Sequence, residues 1–178
     1  AKAYPDINFI IFHSGYEPRV GETEEGPYVD VPEPNGTDRL IKSLKDSDIG
    51  PGSNVYAELG TTWYMLMPHP REAAHVLGKL LSVLGEDNIV WGTDSIWYGP
   101  AQPLIDAFRA YEIPIEYCQQ YGYPQLTAQI KEKILGLNAA RIYNIDVQSE
   151  RAKIRRDDLS WVKLAMDEYM RSGKPTIR

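Results

Sequence analysis

Ile89-Val90-Trp91-Gly92-Thr93-Asp94-Ser95 decides how the rest of the chain is read. A short β-branched and aromatic run is the pattern of a strand covered on both faces, as strands of parallel sheets are. This one stops on a glycine, a hydroxyl and a carboxylate. In parallel α/β sheets and barrels the working side chains stand at the carboxyl ends of strands, where the chain leaves the packed core. Asp94 stands at such an end and is the first candidate for chemistry.

The same grammar recurs upstream. Ile7-Asn8-Phe9-Ile10-Ile11-Phe12 ends on His13 and is followed at once by Ser14-Gly15, so a second strand delivers an imidazole. Asn54-Val55-Tyr56-Ala57-Glu58-Leu59 reads as a third strand, and its Glu58 either points into a pocket or pairs with a basic side chain. Helical patterns separate the three. Thr37-Asp38 offers a hydroxyl cap and an acid favoured by the helix dipole. Leu40, Ile41 and Leu44 then repeat at helical spacing up to Gly50-Pro51-Gly52. Pro70 opens a longer helix with the stripe Ala73, Leu77, Leu80, Leu81 and Leu84, closed by Gly85.

After Asp94 a loop over 95–99 carries Trp97 and Tyr98, and a helix opens near Pro103. The stretch 112–124 reads as irregular and tyrosine-rich. Leu126, Ile130 and Ile134 mark another helix, with a short one over 138–143 behind it. Strand alternating with helix is the order of a parallel α/β fold. Asp94 alone also fits a cap of its own loop, and His13 alone a structural histidine. If their strands are adjacent in one sheet, both side chains open on the same side and share a pocket.

Composition narrows the classes. With 43% hydrophobic and 25% charged residues the chain has the make-up of a soluble globular domain. A net charge of −6 and a pI near 5.1 argue against nucleic-acid and anionic-membrane partners. No apolar run approaches the roughly 20 residues that span a bilayer. The single cysteine, Cys118, cannot close an internal disulfide and reads as a small buried or half-buried hydrophobe, so a cytoplasmic setting is expected. His69 and His75 lack the spacing of paired ligands and read as packing or surface residues. No Gly-x-Gly-x-x-Gly follows a strand and no glycine-rich segment ends in Lys-Ser or Lys-Thr, which leaves dinucleotide and P-loop chemistry without support. The long connection from Gly15 to about Gly36 carries Glu22, Glu24, Glu25, Asp30 and Glu33, and is either a binding loop or a solvated excursion. The expected division is a first domain over 1–146 and an extension over 147–178, whose helix from Asp157 to Arg171 presents Leu159, Val162, Met166 and Tyr169.

Phe9-Ile10-Ile11-Phe12-His13-Ser14-Gly15, Asn54-Val55-Tyr56-Ala57-Glu58-Leu59, Ile89-Val90-Trp91-Gly92-Thr93-Asp94 and Asn138-Ala139-Ala140-Arg141-Ile142-Tyr143 occur in that order at fitting intervals. As an ordered set they resemble the carboxyl-terminal part of the amidohydrolase superfamily, in its amidohydrolase-related (amidohydrolase 2) branch, over residues 1 to about 146. The resemblance implies an α/β fold that is the C-terminal part of a (β/α)₈ TIM barrel, strands six to eight with their helices, plus an appended C-terminal helix. It implies that His13 ends the sixth strand, Glu58 the seventh and Asp94 the eighth. Asp94 would bind a divalent metal, expected to be zinc, and take a proton from metal-bound water. His13 would be a second ligand or an acid/base. The resemblance carries over no further roles; from their places beside the strand ends Tyr16, Glu58 and Trp97 are the candidate substrate-binding residues, and Trp97 fits a roof over the core equally well. The implied activity is that of a hydrolase or a lyase, of decarboxylase or hydratase type, on a small carboxylated or cyclic substrate.

The departures carry their own expectations. Such barrels run to about 250 residues, and three of eight strands are present. The first-strand His-x-His has no counterpart, because the only histidines are 13, 69 and 75. One carboxylate and one imidazole fall short of the three protein ligands a catalytic zinc takes. The chain is therefore expected to be a piece of a longer protein, inactive alone, and prone to pair its open strand edges as a homo-oligomer. The alternative is a non-catalytic interaction or dimerisation domain derived from the barrel, working through the acidic loop and the appended helix.

Overall fold

The computed structural model of the chain describes residues 1–17, 25–154 and 159–173. Glu22, Glu24 and Asp157 lie outside the described residues. Residues 1–142 form one compact unit and residues 143–178 a second.

In the first unit, β1 (Phe9–Ile11), β2 (Val55–Glu58) and β3 (Ile89–Val90) make one parallel sheet in that order. Phe9 pairs with Val55 and Ile11 with Ala57, while Ala57 pairs with Ile89 and Glu58 with Val90. The strands are shorter than the apolar runs that announce them. β1 stops because Phe12–Gly15 turns tightly, and β3 has no ladder past Val90 because its partner ends at Glu58. All four residues of the central strand are buried.

α1 (Gly36–Asp46) lies between β1 and β2 in the chain and buries Ile41 and Leu44. The expected hydroxyl cap is absent: Asn35 occupies the cap position, no side chain caps the helix, and Thr37 is buried within the first turn. Two helices, α2 (Gly60–Leu66) and α3 (Pro70–Leu84), follow β2. α3 begins on its proline and stops at Gly85, whose φ of 75° suits glycine. Its Ala73, Ala74, Val76, Leu77, Leu80 and Leu84 are all at or below 1% exposure, the centre of the core.

α2 is a finding the sequence did not announce. Gly60-Thr61-Thr62 is a poor helix start by propensity, but Trp63 and Leu66 bury completely on it. The Trp63 indole packs edge-on against Phe108, 5.0 Å between centroids, and donates to the Leu104 carbonyl at 2.9 Å. Beyond β3 come α4 (Ser95–Tyr98), where a loop was expected, and α5 (Gln102–Ala110). α6 (Ile115–Tyr121) occupies the stretch read as irregular. α7 (Ala128–Glu132) then runs through a π-turn over Lys133–Leu137 into α8 (Asn138–Ile142).

Two asparagines pin the amino end of the sheet. Asn88 donates to the carbonyls of Ser53 and Val55, both at 2.8 Å, and Asn138 to those of Glu86 and Ile89 at 2.8 and 2.7 Å. That is the physical content of the Asn-Ala-Ala-Arg motif: α8 closes on the start of β3. On the outer side, Lys79 of α3 has a side chain only 1% exposed and pairs with Glu25 at 2.9 Å and Asp38 at 2.5 Å.

The second unit holds α9 (Val147–Ile154) and α10 (Ser160–Ser172), the latter closed by Gly173 at a φ of 64°. Leu159, Val162, Met166 and Tyr169 are all exposed. No helix among the described residues is long and apolar enough to cross a membrane.

Candidate functional site

The site is built where the three strands end. His13 leaves β1 in a left-handed turn with φ 57° and ψ 19°, and Ser14 follows at φ 51° and ψ 27°. Asp94, four residues past β3, adopts φ 48° and ψ 33°. A side chain with a Cβ resists this region, at about 1–3 kcal/mol per residue. Among the described residues only Asp48 and Asn144 join them in it outside glycine. Strain is thus concentrated at the two side chains singled out from the sequence.

Hydrogen bonds hold that strain in place. The His13 amide donates to Glu58 Oε2 at 2.9 Å, and the Thr62 hydroxyl donates to the His13 carbonyl at 2.6 Å. Ser14, fully buried, donates its hydroxyl to the Glu58 carbonyl at 2.8 Å. The Tyr16 amide closes the turn on the His13 carbonyl at 2.7 Å.

Among the described residues Glu58 makes no ion pair; it lies beside Asp94 at the strand ends and is held there by backbone. Its side chain accepts two backbone donors, His13 N–H and Gly60 N–H, the second at 2.7 Å to Oε1. Gly92 makes this possible. A Cβ on residue 92 would stand 1.5 Å from Glu58 Oε1, so glycine is required there for room and not for an unusual φ. Glu58 Oε1 and Asp94 Oδ2 both lie within 3.0 Å of the point where a Gly60 Cβ would sit, so the two oxygens are less than about 6 Å apart. This end of the sheet carries a concentration of negative charge.

His13 Nε2 stands 2.9 Å from Asp94 Oδ2. The strands that carry them are not adjacent, as the sequence reading supposed; β2 lies between, and the pair meets across its end. The side chains are 40% and 28% exposed, so the contact adds at most about 1 kcal/mol to stability. Asp94 does not cap its own helical turn. It reaches across to α2, where Oδ2 accepts the Thr61 amide at 3.0 Å and the Thr61 hydroxyl at 2.5 Å. The Tyr98 hydroxyl lies 3.3 Å from that of Thr61, and the Tyr98 ring stacks on Tyr64 with centroids 3.8 Å apart.

The other sequence candidates fall elsewhere. Trp97 is 79% exposed, and its neighbour Tyr98 is the aromatic that reaches the site. Tyr16 packs its ring against the core. His69 lies on the surface 3.6 Å from Glu72. His75 is buried among Tyr117, Tyr121 and Tyr123, within 3.1 Å of the Tyr123 hydroxyl. Burial, then the nearby Lys79 charge, hold its pKa below the usual 6.5. Thr61, Thr62 and Ser14 were missed. Their common signal is a hydroxyl within two residues of a glycine just past a strand end, where short side chains bond free backbone groups.

The arrangement is suited to moving a proton, since a carboxylate and an imidazole in contact and partly open to solvent can take one from water and pass it on. It is not a complete metal site. His13 and Asp94 offer two donors and Glu58 is occupied by backbone amides. Among the described residues no three His, Cys, Asp or Glu side chains converge on one point. A cleft of about 310 Å³ lined by Pro51, Leu81, Leu84, Glu86 and Pro124 lies at the opposite end of the sheet, where strands begin, and has no part in this chemistry.

A family model described as Amidohydrolase matches residues 1–145. No curated protein and no solved structure gives a match.

Proposed function

From the premise that the chain belongs to the amidohydrolase family, we propose that residues 1–142 are the carboxyl-terminal part of a hydrolase barrel, with His13 and Asp94 as its acid–base pair. The observation that carries this is the 2.9 Å contact between two side chains delivered from separate strand ends, both on left-handed backbone. Family membership makes the activity hydrolase-like; the finer reading is a small carboxylated or cyclic substrate, cleaved by hydrolysis or by a decarboxylase- or hydratase-type step. Asp94 accepts the proton of the attacking water, and His13, bonded to the same carboxylate, relays it to the leaving group. Glu58 and Gly92 keep the imidazole aimed at Asp94.

A divalent metal would polarise a carbonyl and acidify water. These residues supply two donors where a zinc site needs three, so further ligands must come from outside them. We therefore expect turnover only when the remainder of the barrel is present. The test is the complete barrel assayed on lactones, cyclic amides and aromatic carboxylates, beside Asp94→Asn. The expected loss is at least about 100-fold, the scale of removing a positioned acid–base group. An Asp94→Asn enzyme with unchanged turnover would remove Asp94 from the reaction.

A further inference from the structure

Asp94 has two oxygens, and the structure treats them differently. Oδ2 faces three groups: it accepts the Thr61 amide at 3.0 Å and the Thr61 hydroxyl at 2.5 Å, and the His13 Nε2 stands 2.9 Å away. Among the described residues no hydrogen bond reaches Oδ1. One residue, Thr61, supplies two of the three contacts, one from its backbone and one from its side chain. The hydroxyl proton is committed to the carboxylate, so the Tyr98 hydroxyl, 3.3 Å from Thr61 Oγ1, is the donor in that contact. Tyr98 in turn is fixed face to face on Tyr64, with ring planes 12° apart. The result is a directed chain: Tyr98 O–H to Thr61 O–H to Asp94 Oδ2, with the His13 imidazole on the same oxygen.

We propose that Thr61 is a positioning residue for the acid–base pair, a two-point clamp that fixes the Asp94 carboxylate so that Oδ2 is held by protein and Oδ1 is left to act. Geometry supports this in two ways. Asp94 sits on left-handed backbone, a conformation that persists where the surrounding contacts hold it. Charge-assisted donors to a carboxylate are about twice as strong as neutral ones, so two from a single residue set a rotamer firmly. Thr61 also joins separate pieces of chain. It opens α2 after β2, while Asp94 follows β3 and His13 follows β1, so the clamp ties all three strand ends through one oxygen.

The inference rests on the proposed acid–base pair but is tested without turnover. The measurement is the scalar coupling transmitted across the hydrogen bond from the Thr61 amide nitrogen to the Asp94 side-chain carboxyl carbon, in the ¹⁵N,¹³C-labelled full chain. A correlation is expected in the parent and in Thr61→Ser, which retains the hydroxyl. Loss of that correlation is expected in Thr61→Val, which keeps the amide and the shape but lacks the hydroxyl. The ¹⁵N shift of His13 Nε2 at fixed pH should move with it and return in Thr61→Ser. A parent without the correlation would overturn the clamp, and so would a Thr61→Val spectrum with coupling and imidazole shift unchanged. If Thr61→Val does not fold, Thr61→Ser decides: loss of the correlation in an otherwise native amide spectrum overturns it, and retention supports it. Failure of Asp94→Asn to lower turnover in the complete barrel would instead defeat the reading of the pair and leave the clamp as a structural fact.

Discussion

Gly92→Ala is the substitution with the most calculable outcome. The new Cβ would stand 1.5 Å from Glu58 Oε1, 2.7 Å from its Cδ and 3.1 Å from the Gly60 Cα. An exposed carboxylate would swing aside at little cost. Glu58 is 7% exposed and tied to the His13 and Gly60 amides, and the Gly60 backbone blocks one direction of retreat. To restore ordinary contact the carboxylate has to move by about 1.5–2 Å, which breaks both bonds. Hydrogen bonds to a charged group contribute about 1.5–3 kcal/mol each, so the full loss is about 3–6 kcal/mol. Water reaching the half-open strand ends offsets part of it, leaving about 3 kcal/mol. For a chain of this size that is a fall in Tm of about 6–12 °C. Thermal unfolding followed by circular dichroism measures the fall, and the His13 and Gly60 amide shifts report the lost bonds. A cycle with Glu58→Ala isolates the cause. Without a carboxylate to strike, Gly92→Ala should cost less than about 1 kcal/mol, a coupling of about 2 kcal/mol between the sites. Equal costs in both backgrounds, or a Gly92→Ala protein melting within about 1 °C of the parent, would refute the account.

Lys79→Met keeps the length of the buried side chain and deletes its charge, leaving Glu25 and Asp38 without the cation that bonds both. Removing one partner from a buried pair costs about 3–5 kcal/mol, read as a lower urea midpoint at unchanged slope. His75 predicts a pH dependence. Its folded pKa lies below 6.5, so below that pH the unfolded chain binds the proton first and the folded state loses stability. His75→Gln should flatten the fall in unfolding free energy between about pH 7.5 and 5.5; a parallel curve for the variant would show that His75 is not the group responsible.

The fold was legible where burial writes itself as pattern. Val55–Glu58 and Ile89–Val90 sit inside the apolar runs that predicted them, and Pro70 and Gly85 bound α3 as their chemistry requires. Short helices were not. α2 opens on Gly60-Thr61-Thr62 and α6 lies in a tyrosine-rich stretch, so neither has local propensity in its favour. Both are decided by contacts distant in sequence. Trp63 meets Phe108 across 45 residues of chain, and the Tyr117 ring of α6 stacks on His75 of α3 at 4.9 Å. A window that looks along the chain sees only local preference, and tertiary packing overrides it.

The site divides along a similar line. Polar residues closing an apolar run marked His13 and Asp94, and the expectation that they meet rested on parallel strands opening on one side. Their partners stayed hidden because they act through backbone groups, which sequence does not label. Glu58 was read as a carboxylate in search of substrate or cation, whereas it takes two N–H groups. Gly92 looked like a strand terminator and is the space that carboxylate needs. The left-handed turns at His13 and Asp94 are the least legible of all, since neither residue type demands that backbone. Glycine would take such positions at lower energy, and aspartate and histidine are among the few other residue types that enter this region. That two ionisable side chains stand there instead, and face each other at 2.9 Å, argues that their direction is what the surrounding hydrogen bonds are built to secure.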